Sequence, residues 1–298
     1  MNEEIELRHL RYFLAVAETL HFSKAAERLG MAQPPLSQQI QRLETLIGHR
    51  LFDRTTRGVK LTAAGHLLVE RARTTLEKMQ DDIQQVQRRG RGEEGIITIG
   101  FSGSIMFTGL PAAIEAFRRL YPKVEMRLRE MVTAEQLPAV TNGILDLAFV
   151  RDGDPTVGIK QTTLRAERFI AVLPSGHKLA NKHGLQLREL RDDPFILFNR
   201  RHGPLAFDRT IRFCEDEGFR PNIVQDAPQW PTLVRLVAAG LGVSLAPACI
   251  ADISIPGAVY REIPGDARTQ IDMAVKAGSD STLVRNFTRI AHEHISSG

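Results

Sequence analysis

The chain is poor in cysteine and in aromatic residues. Two cysteines, Cys214 and Cys249, occur among 298 residues. They stand in no Cys-x-x-Cys or Cys/His spacing, which argues against a zinc site or a dithiol catalyst and predicts a pair of buried structural thiols. No apolar run approaches the length of a bilayer span. The opening "MNEEIELRHL" is acidic where a signal peptide would carry a basic region and an apolar core, so a cytoplasmic location without membrane attachment is expected. Phosphate loops, dinucleotide-binding glycine fingerprints and metal-ligand clusters are also missing. "GFSGS" places Ser102 outside the Gly-x-Ser-x-Gly frame of a nucleophile elbow. No catalytic residue, bound metal or cofactor is therefore expected, and the chain is read as no enzyme.

What is present is a globular composition, 43% hydrophobic and 25% charged, with length enough for more than one domain. Charge is unevenly spread. Residues 1–92 hold 15 Lys/Arg against 11 Asp/Glu, and the remainder holds 24 of each. The excess positive charge thus lies in the first third, as expected of a part that faces nucleic acid.

In that third, "HFSKAAERLGMAQPPLSQQIQRLE" carries two prolines between helical stretches. Proline breaks a helix interior but suits a first turn, so Pro34 and Pro35 mark a helix start. Leu36, Ile40, Leu43 and Ile47 then form one stripe to Gly48. Upstream, Ser23 is the expected N-cap of a short helix that buries Ala25, Ala26 and Leu29 and stops at Gly30. A first helix with Leu7, Leu10, Leu14 and Ala17, widened by Phe13 and Val16, completes a helix-turn-helix core. "HRLFDRTTRGVKLTAAG" then reads as a small β-hairpin with its turn at Thr56 to Gly58.

Thr62 is expected to cap a helix that runs to about Arg89. Val69, Ala72, Leu76, Met79, Ile83 and Val86 follow each other at intervals of three and four, an a/d seam that predicts a dimerising linker helix. From Gly95 strands and helices alternate: "IITIGF", "VEMRLREM", "ILDLAFV", "RFIAVLP", "FILFN", "NIVQ", "GVSLAP" and "QIDMAVKA". Alternation implies parallel sheets with helices on their faces, here in two α/β halves with a cleft.

Taken together, the residues resemble the LysR-type transcriptional regulators over essentially the whole chain. The specific part is "LRHLRYFLAVAETLHFSKAAERLGMAQPPLSQQIQRLETLIGHRLFDRTTRGVKLTAAG"; "GLPAAIEAFRRLYPKVEM", "LDLAFV" and "LVAAGLGVSLAP" match more loosely. "GFSGSIMFTGLP" and "RLVAAGLGVSLAP" look most similar to members that sense aromatic compounds or their ring-cleavage products. The resemblance implies an α/β chain in four parts. Residues 1–61 form an all-α winged helix-turn-helix, 62–89 the linker helix, 90–95 a hinge and 96–298 a two-lobed effector domain resembling periplasmic binding proteins. Lobe I takes about 96–165 and 267–298, lobe II about 166–266. Its implied partners are a double-stranded DNA operator, a small-molecule effector, further copies in a dimer or tetramer, and the transcription machinery.

For DNA, the expected contacts are Gln33, Pro34, Pro35, Ser37, Gln38, Gln41 and Arg42 on the second helix, whose first turns would enter the major groove. Ser23 and Lys24 suit phosphate anchoring, and Arg54 and Arg57 flank the wing. Family members often carry Arg at the position of Gln38, so a guanine preference there does not carry over. For the effector, strand-end loops point to Ser102, Ser104 and Thr133 as hydroxyl donors. Arg200, Arg201 and His202 are expected to supply charge, and Phe198, Phe207 and Trp230 apolar walls. Ser104 and Thr133 are the positions best matched to aromatic-responsive members, and Arg151 is next in line. An α/β enzyme with an accessory DNA-binding domain, or a solute receptor fused to a DNA-packaging module, is the competing function.

Overall fold

In the computed structural model, which describes residues 5–55 and 58–296, the chain divides into two compact units, Met1–Gln87 and Arg88–Gly298. The first opens with α1 (Leu7–Thr19), α2 (Phe22–Arg28) and α3 (Gln33–Ile47). Phe13 and Val16 of α1 are fully buried, whereas Leu7, Leu10, Leu14 and Ala17 are half-buried, so the core face is rotated from the expected stripe. Leu36, Ile40 and Leu43 of α3 are fully buried, and Pro34 and Pro35 sit in its first turn. One cap differs from expectation. His21, not Ser23, precedes α2, and its Nδ1 accepts from the Lys24 amide at 3.4 Å. The helix starts early because Phe22 must turn inward, where its ring meets Phe52 edge-on at 5.8 Å. Ser23 is left on the exposed side of the first turn.

The wing is the antiparallel pair β1 (Phe52–Thr55) and β2 (Gly58–Leu61). It is pinned to α3 by Glu44, whose Oε1 accepts from the amides of Leu51 and Phe52 at 2.8 and 3.1 Å. The expected contact Arg57 lies outside the described residues. Thr62 caps α4 (Ala63–Gly90) as expected, with its Oγ1 accepting from the Gly65 amide at 2.9 Å. Along α4 the a/d series changes character. Ala72 is buried and Val69 packs on the helix-turn-helix core, but Ile83 and Val86 are 47% and 73% exposed.

In the second unit the elements are β3 (Glu94–Phe101), α5 (Leu110–Leu120), β4 (Lys123–Glu130), α6 (Thr133–Thr141), β5 (Leu147–Arg151) and β6 (Ile159–Pro174). There follow β7 (Pro194–Leu197), α7 (Pro204–Asp216), β8 (Asn222–Asp226), α8 (Trp230–Ala238), β9 (Ser244–Pro247), β10 (Ala258–Glu262), β11 (Arg268–Lys276) and α9 (Thr282–Ser296). Because β3 begins at Glu94, only residues 91–93 of the expected hinge separate helix from strand.

The pair β7 and β8 is parallel as expected, but the large sheet is mixed. β3 lies parallel between β4 and β5, but β11 pairs antiparallel with both β5 and β6. β6, 16 residues long, continues into the second lobe and pairs antiparallel with β9 and β10. Two returning strands therefore join the lobes, and antiparallel pairing is what a returning strand makes. The first half of β6 and the whole of β10 were not expected from sequence, since polar residues along them obscure the apolar run. Lobe I closes around Phe117, Phe149 and Phe287 in edge-to-face contact, lobe II around Phe169 stacked on Phe213 and around the buried face of α8.

Gly65 marks the tightest approach in the N-terminal unit: a Cβ there would lie 2.2 Å from the Leu51 carbonyl oxygen and 2.9 Å from Leu61 Cδ2. The Leu51 backbone cannot yield without shifting the wing against α4. Gly65→Ala is expected to destabilise this unit by about 1–3 kcal/mol, read as a lower first transition in calorimetry of the full chain.

Candidate functional site

The helix-turn-helix presents an outward face. Pro34, Pro35, Gln33, Gln38, Gln41 and Arg42 are exposed along α3 and Ser37 is half-buried, opposite the buried Leu36–Ile40–Leu43 stripe. Gln33 Nε2 donates to Ser37 Oγ at 3.2 Å, which aligns two first-turn polar groups. Behind them the buried His9 ring meets Gln39 Oε1 at 3.1 Å and accepts from the Glu6 amide at 3.0 Å. Nothing in its local pattern marks His9 in the sequence, since its partner Gln39 lies 30 positions away. Arg54 is more engaged than expected. Its guanidinium lies 4.4 Å from the centre of the Phe22 ring and 4.0 Å from Glu44 Oε2, which holds it beside the wing while 37% of its side chain stays exposed. Lys24 is exposed at the start of α2.

In the second unit a cavity of about 230 Å³ opens between the two lobes. Its first wall is built by three segments at strand ends: the turn Gly103–Phe107 after β3, the first turn of α6, and the end of β5. Ser104 and Thr133 are buried there. Ser102 Oγ and Thr133 Oγ1 are 3.1 Å apart, and Gln136 Nε2 donates to Ser102 Oγ at 3.0 Å and to the Met131 carbonyl at 2.9 Å. The Arg151 amide donates to Thr133 Oγ1 at 3.3 Å. Gln136 follows Thr133 by three positions, the spacing that stacks side chains on one helix face, and that spacing was the signal in sequence that could have found it.

Below the hydroxyls lies a charge that the fold has taken out of water. Arg151 is 6% exposed and Glu167 4%. Their Nη2 and Oε2 are 2.8 Å apart; Arg151 Nε donates to Ser104 Oγ at 3.0 Å and Nη1 to Thr269 Oγ1 at 3.4 Å. A buried guanidinium is tolerated only when partnered in this way. Beside it Asp152, in the left-handed region at φ 47°, accepts from Thr269 Oγ1 at 2.6 Å and the Gln270 amide at 2.8 Å and meets Arg209 of α7 at 3.3 Å. Burial nevertheless raises its carboxyl above the ordinary value. Cys249 contacts the same cluster, donating to the Ser104 carbonyl at 3.5 Å, and burial pushes its thiol up to about 12. Cys214 is likewise pushed up to about 12 by burial. Both are free thiols without thiolate character at neutral pH.

The opposite wall comes from lobe II. Phe198 stacks on Trp230 with ring centres 5.6 Å apart and planes at 27°, and His202 packs edge-on to Phe198 at 5.8 Å. Phe207 and Phe169 complete the apolar lining. The first turns of α7 and α8 point into the same space, where their amides have no intrahelical acceptor. Of the expected effector residues, the fold thus brings together Ser102, Ser104, Thr133, Phe198 and Phe207, with Trp230 and His202. It does not bring Arg200 and Arg201. Arg200 is locked outward by a two-pronged pair with Asp208 at 2.8 Å on each prong, which holds the Asp208 carboxyl below its ordinary value. The Arg201 amide is used to cap the turn, on Asn199 Oδ1 at 2.8 Å, and its side chain faces solvent. A turn of three residues can aim only one of them inward, and here that one is His202.

A winged helix-turn-helix followed by a two-lobed α/β unit with a ligand-sized cleft defines a class: regulators that join a DNA-reading domain to a small-molecule sensor on one chain. Family models agree. Residues 7–66 match the bacterial regulatory helix-turn-helix protein of the lysR family, and residues 90–296 match the LysR substrate binding domain. The chain belongs to the LysR family of transcriptional regulators. It is 36% identical over 289 residues to the HTH-type transcriptional regulator AlsR of Bacillus subtilis, covering 97% of this chain and 96% of that one. It is 36% identical over 283 residues to BenM of Acinetobacter baylyi, covering 94% and 93%. The crystal structure of CbnR superposes with a TM-score of 0.84 at 28% identity, covering 96% of this chain and 99% of that one, and CbnR has also been solved with its target DNA. No helix among the described residues is long and apolar enough to cross a membrane.

The buried pair yields a stability prediction. Glu167→Gln leaves the Arg151 charge without its partner and should cost about 3–5 kcal/mol. Replacing both by Met should recover more than half of that loss. The chain's single tryptophan, Trp230, reports on this unit alone, so the test is denaturant unfolding followed by its fluorescence.

Proposed function

We propose that the chain reads a two-fold operator through α3 and the wing, and that a small molecule with an aromatic body, held in the cavity between the lobes, alters transcription from that operator. One observation carries the reading: α3 spends its aliphatic residues on the core and leaves an unbroken exposed row of amides and prolines at its N-terminal turns. A solvated surface gains nothing from that row, whereas glutamine amides bond adenine edges and proline rings meet thymine methyls in the major groove. The aromatic character of the effector is supported by the stacked Phe198–Trp230 wall. Ser102 and Ser104 act as ligand donors and not as nucleophiles, since their hydroxyls contact Thr133, Gln136 and Arg151 and no general base. The protein works in the cytoplasm, needs no cofactor beyond the effector, and passes its signal to the transcription machinery.

Two measurements test this. On an operator selected from random DNA, Gln33→Ala and Gln38→Ala should each lower discrimination against scrambled DNA by about 1–3 kcal/mol, while Arg54→Ala weakens binding to both and reduces the salt slope by about one. Equal losses on both DNAs for the glutamine variants would remove the assignment.

Self-association is proposed through the exposed end of the α4 seam. Ile83 and Val86 have no core of their own to fill, and a two-fold pairing of two such stripes matches a palindromic site. Ile83→Lys with Val86→Lys should lower the assembly state in sedimentation and weaken operator binding at least about tenfold, because two half-sites are then bound independently. The pair leaves the packed residues Val69 and Ala72 untouched.

A further inference from the structure

The charged side chains that line the cavity are two glutamates, Glu130 and Glu135, and one arginine, Arg151. The arginine is already neutralised by Glu167 at 2.8 Å, with 8% and 1% of the two side chains exposed. The second oxygen of Glu167, Oε1, is buried without a hydrogen bond and lies 3.8 Å from Arg165 Nε, which does not line the cavity. The wall as a whole is therefore negative. Arg200, the nearest candidate for a second cation, is held outward on Asp208.

Against this stands one pole that seeks an acceptor. Ser102 Oγ accepts from Gln136, Thr133 Oγ1 from the Arg151 amide, and Ser104 Oγ from Arg151 Nε. A hydroxyl whose oxygen is already accepting keeps its proton to give. Ser102 Oγ and Thr133 Oγ1, 3.1 Å apart, hold one of their two protons between them, so that pair keeps one proton to give beside that of Ser104, and the Arg151 carbonyl, at 3.5 Å from Thr133 Oγ1, does not hold it firmly. The first-turn amides of α6 add donors to the same spot. A carboxylate satisfies all of them at once.

We propose that the effector is a monoanion: a flat molecule with a single carboxylate at Ser102, Ser104 and Thr133, its uncharged remainder lying against Phe198 and Trp230. A second carboxylate on the same skeleton meets Glu130 or Glu135, and among the described lining residues Arg151, already paired, is the one arginine or lysine. This separates aromatic monocarboxylates from dicarboxylic ring-cleavage products, both of which the family resemblance implies. The inference rests on the reading of the cavity as the effector site.

The test uses the full-length protein at constant ionic strength, which fixes the screening of the rim charges. Calorimetric titration compares benzoate, phenylacetate and 4-hydroxybenzoate with isophthalate and terephthalate. At least one monoanion should bind at least about tenfold more tightly than either dianion, since like charges placed opposite one another are strongly disfavoured. In Glu130→Gln with Glu135→Gln the gap should shrink to within about threefold, chiefly by a gain for the dianions. Thr133→Val should weaken the monoanion. A dianion that binds more tightly, a gap unchanged in the double glutamine variant, or no monoanion binding at concentrations on the order of 10 mM overturns the charge rule. If a monoanion binds and Thr133→Val leaves its affinity unchanged, the reading of the cavity itself is overturned, and the charge rule with it. An inverted preference with Thr133-dependent binding overturns the charge rule alone.

Discussion

A guanidinium cannot be left unpartnered inside a protein, and the effector unit is organised around supplying partners to Arg151. Desolvating such a charge costs several kcal/mol, which is offset only when good geometry and hydrogen bonds meet it from every side. Here the partners come from four separate segments: Glu167 on β6, Ser104 after β3, Thr269 on β11, and Cys249 beyond β9. β6 and β11 are also the two strands that join the lobes. One side chain thereby fixes the ends of the strands whose loops form the cavity, and whatever ligand touches Ser104 touches the network built on the strands that join the two lobes.

The same logic sets the two ends of the molecule apart. In the N-terminal unit the constraint is apolar: three aliphatic residues of α3, three phenylalanines and Val16 lie in a small core, and the polar side chains of α3 are left on its outer half. Glu44 is the exception, because it serves the wing amides from inside. In the effector unit the polar groups are instead buried and prearranged, with Gln136 and the Arg151 amide orienting the hydroxyl pair before any ligand arrives. Prearranged donors lose less on binding than free ones. A surface that reads many DNA sequences by exchange of contacts and a pocket that selects one small molecule call for these opposite solutions.

Much of this was legible in the sequence where a local rule decides. Pro34 and Pro35 start α3 because only a first turn tolerates them, Gly48 ends it in the left-handed region at φ 79°, and Thr62 caps α4. Ser102, Ser104 and Thr133 face the cavity because strand-end loops converge there whatever their detail. What was not legible depends on long-range partners. Ser23 yielded its cap to His21 because Phe22 is claimed by Phe52, a residue 30 positions away. Arg200 and Arg201 looked like an anion site in one dimension, but Asp208, one helix turn inside α7, claims the first and the turn geometry spends the second. The mixed sheet escaped notice because polar alternation in "IKQTTLRAER" hides the first part of the strand that runs from one lobe into the other.

Charge near a ligand is therefore a question of what each charge already does. By composition the effector unit is neutral and its loop "NRRHG" is basic, which points to an anion held by arginine. By contact, three of the guanidiniums near the cleft are engaged, Arg151 by Glu167, Arg200 by Asp208 and Arg209 by Asp152, and that of Arg201 faces solvent instead of the cavity. The free electrostatic capacity that faces the ligand belongs to neutral donors and to the two glutamates. Neutral hydroxyls and helix-end amides can stabilise one carboxylate by directed hydrogen bonds, but their partial charges fall off within a turn and do not reach a second. The selectivity of such a site comes from how many acceptors its donors can meet, and not from its net charge.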